Sequence, residues 1–134
     1  MSDITLWGFN GSTYVRTIRM LLLEKGVANY EQVSVNVLTG ETKTPEHLQR
    51  HPFGKVPVLD HDGIRILETS AIARYLNDVL PGSSLIPASP KDRARMDMAI
   101  GLIDSCRAKG NPRSLPAISP WRICTSRRSC STCR

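Results

Sequence analysis

Between His51 and Leu76 the chain reads HPFGKVPVLDHDGIRILETSAIARYL, and this stretch leaves few folds open. Val56-Pro57 stands directly before the apolar run Val58-Leu59. A proline gives up a ladder donor, so it is tolerated at the first position of a strand or on an edge. The bond before Pro57 is open to a cis form, because cis bonds are nearly confined to X-Pro pairs, although the trans form prevails even there. Asp62-Gly63 separates two strand-like runs, a strong hairpin signal. Glu68-Thr69-Ser70 then leads into apolar residues at helical spacing: Ile72, Tyr75, Leu76 and Val79. Thr69 or Ser70 is expected to cap that helix, and free amides at its start attract an anion. The stretch therefore predicts strand, tight turn, strand and helix.

The residues before it supply the other half of a sheet. Ile4–Leu6 reads as a short strand ending at Trp7-Gly8, and FNGS (residues 9–12) reads as a turn. From Thr13 to Lys25 the apolar positions Val15, Ile18 and Leu22, with Leu21 beside them, follow helical spacing, and Gly26 is a natural stop. Residues 30–37 alternate through Val33, Val35 and Val37, which predicts a strand. Strand, helix, strand in that order implies parallel pairing through a helical crossover. Residues 38–43 are expected to form a flexible loop. Thr44-Pro45 reads as a cap followed by proline at the first helical position, opening a short helix that ends near Arg50. His47, His51 and His61 have no metal-ligand spacing and are expected on loops and helix surfaces.

The motifs HPFGKVPVL and ETSAI, at this spacing, resemble the second half of the thioredoxin-like domain of cytosolic glutathione S-transferases. WGFNGSTYVR, with Val15-Arg16 after the serine, resembles the serine-using classes of that family, theta- or phi-like. The resemblance covers roughly residues 3–105. It implies an α/β fold: a thioredoxin-like βαβ–α–ββα glutathione-binding domain over residues 1–80, a linker at 81–88, and the first helix of an all-helical domain at 89–105. Ser89-Pro90 is a suitable start for that helix.

The resemblance also implies roles. Ser12, between first strand and first helix, would hold glutathione as its thiolate without itself attacking. A free thiol has a pKa of about 8.5. A hydroxyl that donates to sulfur, and the positive end of a helix, both favour the charged form. Read alone, Ser12 is more simply a plain helix cap. Thr13 and Tyr14 are fallbacks, and Trp7 stands where tyrosine-using relatives carry their tyrosine. Glu68 would pair with the ammonium of the γ-glutamyl end, and Thr69 with a helix-start amide would hold its carboxylate. Val56 would pair through its backbone with the cysteinyl part, along an edge that Pro57 would expose if cis. Lys55, or Lys43, would meet the glycine carboxylate. Each of these has a bland alternative as a solvated or capping residue. The implied partners are glutathione as co-substrate, a small electrophile and a second copy in a homodimer, with no metal. The implied setting is cytoplasmic detoxification. A transferase-like domain used for protein association is the alternative, as are glutathione-dependent isomerisation, dehalogenation and peroxide reduction.

Charge distribution bears on the remaining partner classes. The formal net charge is +6, yet residues 106–134 hold seven Lys/Arg and no Asp/Glu, leaving eleven basic and twelve acidic residues before them. The folded part therefore makes no electrostatic case for nucleic acid. No apolar run approaches a membrane span, and no basic-then-apolar leader opens the chain, so the cytoplasm is the expected place. All four cysteines, Cys106, Cys124, Cys130 and Cys133, fall in residues 106–134. Cys130-Ser-Thr-Cys133 has redox or zinc spacing but lacks a fourth ligand. With three prolines and no sustained periodicity, that segment is expected to be a disordered tail. The abrupt change at residue 106 suggests a shifted reading frame or a truncation, which resequencing of the coding DNA would test.

Overall fold

The computed structural model describes residues 3–108. Residues 106–108, expected to open a disordered tail, are helical, while residues 109–134 with the Cys130–Cys133 pair lie outside the described residues. The chain divides into two units, Met1–Arg93 and Ala94–Arg134. The first holds a sheet built from β1 (Ile4–Trp7), β2 (Glu31–Val33), β3 (Val58–His61) and β4 (Ile64–Leu67), in the order β2-β1-β3-β4. β1 and β2 run parallel, and the other two pairings are antiparallel. Helices α1 (Thr13–Glu24), α2 (Pro45–Arg50) and α3 (Thr69–Val79) belong to the same unit. This is the expected βαβ–α–ββα order. A further helix, α4 (Pro90–Ala108), spans the division, and its Met98, Leu102 and Ile103 are exposed.

Strand alternation decides which side is core. Ile4 and Leu6 of β1 are buried against Val15, Ile18 and Leu22 of α1 and Ile72 and Leu76 of α3, with Leu59 and Leu80 completing the cluster. Each such side chain contributes about 1.5–3 kcal/mol when fully buried. Thr5 and Trp7 point to the opposite face. There the Trp7 ring lies under the Arg50 guanidinium of α2, 4.0 Å from its centroid, and its indole N–H donates to Asp60 at 2.8 Å. Arg65, opposite Asp60 across the β3–β4 ladder, donates to both carboxylate oxygens, at 2.7 and 2.8 Å.

The Arg65 fork, reinforced by the indole, holds the Asp60 carboxyl below its ordinary pKa. A depressed acid stabilises the fold above its unfolded pKa of about 3.9 and loses that contribution as pH falls through the folded value. The urea midpoint should therefore drop on acidification below about pH 4. Asp60→Asn should flatten that part of the profile.

Several local readings are corrected. The second strand ends at Val33, not Val37, because its partner runs out. β1 stops at Trp7, the Gly8 N–H takes the Val33 carbonyl at 2.9 Å, and beyond it Asn36 turns the chain by accepting from the Leu38 N–H at 2.9 Å. Part of the expected flexible loop, Glu41–Lys43, is a 3₁₀ turn, anchored where Glu41 accepts from the Asn36 N–H at 2.7 Å. Neither Thr69 nor Ser70 caps α3. Both lie inside it, and Glu68 occupies the cap position without a side-chain cap bond. Val79 is exposed. His47, His51 and His61 are all buried, each by packing between elements rather than on a surface.

Lys25, expected only as a helix end, is buried at 6 % exposure. Its ammonium donates to the carbonyls of Asn77 (3.0 Å) and Ser83 (2.9 Å). It thereby fastens the end of α1 to the last turn of α3, where the Asn77 carbonyl lacks a helical partner, and to the turn that follows at Ser83. Lys25→Ala should cost about 2–3 kcal/mol, since it strips two buried carbonyls of a charged donor. Chemical denaturation measures this, and an unchanged midpoint would contradict it.

Candidate functional site

One row of residues crosses the sheet at a single end. Val33, Trp7, Val58 and Leu67 are in register on neighbouring strands. Strands lie about 4.8 Å apart, so the three segments leaving β1, β3 and β4 at that row start within about 10 Å of one another. The segment after Trp7 leads to Ser12, the one before Val58 is Val56-Pro57, and the one after Leu67 is Glu68-Thr69. Antiparallel pairing of β3 with both neighbours produces this meeting, since it brings the start of one strand beside the ends of two others.

Gly8 fastens the first two segments together. Its φ is 152°, and a Cβ there would overlap Val15 Cγ2 and come within 3.4 Å of Val56 Cβ. The first turn of α1 and the Val56 loop thus approach through the space that glycine leaves open. Ser12 is the cap of α1: its hydroxyl accepts from the Val15 N–H at 3.4 Å, and its carbonyl accepts from Arg16 at 3.0 Å. Capping uses an acceptor position, and a hydroxyl also carries a proton to donate. The cap and thiolate readings of Ser12 are therefore compatible. Tyr14 is half-buried one residue into the helix, and Trp7 is engaged by Asp60 and Arg50 on the far face.

The Val56 loop is tied down from three sides. The ring of His47 donates from Nε2 to the Lys55 carbonyl at 2.9 Å, Lys43 donates to the Phe53 carbonyl at 3.2 Å, and His51 Nδ1 accepts from the Phe53 N–H at 3.2 Å. The Lys55 ammonium lies 6.0 Å over the Phe53 ring. Lys43 and Lys55, the two candidate cations, therefore flank one loop, and both are exposed. The Val56-Pro57 bond is cis, and Pro57 is buried while Val56 is half-buried.

Glu68 sits at the start of α3 with φ 68° and ψ 125°. A non-glycine residue in that region costs about 1–3 kcal/mol. Its carboxylate is 64 % exposed, 4.0 Å from Nε2 of the buried His51. Thr69, the first residue of α3, is half-buried, and the opening amides of the helix stand beside it. Burial lowers the His51 pKa, outweighing the raising effect of Glu68, so the ring is biased to its neutral form. Sequence reading missed His51 and Gly8. The available signal for His51 was its place two residues before an amide it could accept from, as a short polar side chain does in a turn.

A four-stranded mixed sheet in the order β2-β1-β3-β4, with α1 and α3 on one face, defines a thioredoxin-like domain. Comparison with known proteins carries this to a family. Residues 2–78 match the family described as glutathione S-transferase, N-terminal domain, and the chain belongs to that family. Among its relatives is a maleylacetoacetate isomerase from Rhizobium meliloti, 39% identical over 95 residues, which cover 71% of this chain and 44% of the relative. Glutathione S-transferase 1 of Dianthus caryophyllus is 35% identical over 100 residues, or 75% of this chain and 45% of that one. A solved glutathione transferase homologue from Drosophila mojavensis, with bound glutathione, superposes with a TM-score of 0.71 at 27% identity, covering 78% of this chain and 48% of the other. The chain thus spans about half the length of the relatives it matches.

Proposed function

We propose that the chain binds glutathione at this end of the sheet and holds its sulfur as a thiolate for attack on a small electrophile. Ser12 donates a hydrogen bond to the sulfur at the positive end of α1. The Val56 backbone, bordered by Pro57, pairs with the extended cysteinyl part. Glu68 takes the ammonium and Thr69 with the α3 amides takes the carboxylate of the γ-glutamyl end. Lys55 or Lys43 meets the glycine carboxylate. The observation that supports this reading is the register row Trp7–Val58–Leu67, from which the segments that lead to Ser12, Val56 and Glu68 start. The solved homologue with bound glutathione supports the ligand.

In this reading the reaction is glutathione conjugation of detoxification type, carried out in the cytoplasm by a homodimer, and no metal takes part. The isomerase relative favours a second reading on the same thiolate chemistry, in which glutathione adds to an unsaturated acid and leaves again after rotation. Capture on immobilised glutathione followed by elution with free glutathione tests binding. Turnover of an aryl halide, against isomerisation of a cis-unsaturated diketo acid, then separates the two reactions. A chain that passes through the resin unretained would contradict the proposal.

A further inference from the structure

His51 has a geometry that a merely buried ring does not need. Its Nδ1 accepts from the Phe53 N–H, so the ring proton lies on Nε2, the atom that faces Glu68 at 4.0 Å. That separation is too long for a direct hydrogen bond but short enough for a strong charge–charge contact. We propose that His51 controls the charge that Glu68 offers: neutral, it leaves the carboxylate to a ligand ammonium; protonated, it becomes an internal cation that competes with the ligand for the same carboxylate. The inference rests on the reading of Glu68 as the ammonium acceptor.

The surrounding charges favour such competition. The groups facing the ring are His47 from α2 and Lys55 from its own loop, which both oppose a positive charge, and Glu68 from the start of α3, which attracts one. The ring is 2 % exposed, so water cannot screen it fully, whereas Glu68 reaches solvent and the incoming ligand. A docked ammonium and a protonated His51 therefore oppose each other at one carboxylate. By linkage, acidification must weaken binding of the ligand.

The test uses S-methylglutathione, whose blocked sulfur removes the thiol titration and hence any contribution from Ser12. Calorimetry on the full chain should show affinity falling about two- to threefold between about pH 7.5 and pH 5.5, the extent open to a ring held below its ordinary pKa, in a window in which the ligand's carboxylates and ammonium do not titrate. His51→Asn retains an acceptor for the Phe53 amide and should make the affinity nearly independent of pH. Glu68→Gln, at an exposed site where folding is not at stake, should also remove the slope while weakening binding at both pH values. A slope that survives in either variant, or a wild-type affinity flat across the window, would overturn the role of His51 and leave the glutathione reading standing. Absence of S-methylglutathione binding at the higher pH would overturn both.

Discussion

Ser12→Ala should lower the thiolate fraction of bound glutathione about tenfold near neutral pH, the equivalent of about 1.4 kcal/mol of lost preference for the charged sulfur. Ultraviolet absorbance of the thiolate, titrated against pH in the complex, measures this directly. Because the same hydroxyl caps α1, the alanine variant should also lose about 1 kcal/mol of stability. Ser12→Thr separates the two effects, since it keeps both a cap oxygen and a proton donor. Where the chain turns over an electrophile, the alanine variant should lose about a hundredfold in rate, the usual consequence of removing one donor aimed at developing or resident negative charge. Ser12→Ala with unaltered thiolate absorbance would favour a domain that uses this surface for protein association.

The second large effect is expected at Gly8. Gly8→Ala places a methyl group into Val15 Cγ2 and against Val56, at a backbone φ of 152° that side chains rarely adopt. Overpacking and the backbone penalty together should cost about 2–4 kcal/mol. Separation of the α1 start from the Val56 loop should weaken glutathione binding as well. Val15→Ala combined with Gly8→Ala removes the overlapping atom, so the double variant should recover part of the affinity lost by the single one. An additive double variant would show that the Gly8 contact does not couple the two segments.

How much of this was legible in the sequence follows from the range of the interaction that fixes each feature. Local signals sufficed for the hairpin at Asp62-Gly63, the Thr44 cap before Pro45, and the buried face Val15, Ile18 and Leu22, since each depends on neighbours one to seven residues away. The resemblance carried by HPFGKVPVL and ETSAI supplied the topology that joins them. Features set by distant partners were not legible. β2 is short because β1 is short, Lys25 is buried because the last turn of α3 and the turn after it each present a carbonyl to it, and the three histidines are buried because elements from elsewhere in the chain close over them. The cap of α3 was misread for another reason. Hydroxyl residues look like caps, but here the left-handed backbone of Glu68 starts the helix one residue earlier and places Thr69 inside it. Candidate site residues could be named from the motifs, yet the meeting of the segments that lead to Ser12, Val56 and Glu68 depends on a strand register that no local pattern encodes.

The most direct measurement is a two-dimensional amide spectrum of the isotope-labelled chain titrated with glutathione. Convergence at the Trp7–Val58–Leu67 end predicts the largest shifts at Ser12, Val56, Glu68 and Thr69, with the hairpin tip at Asp62-Gly63 unmoved at the other end of the sheet. Saturable shifts confined to the hairpin end, or a spectrum indifferent to millimolar glutathione, would contradict it.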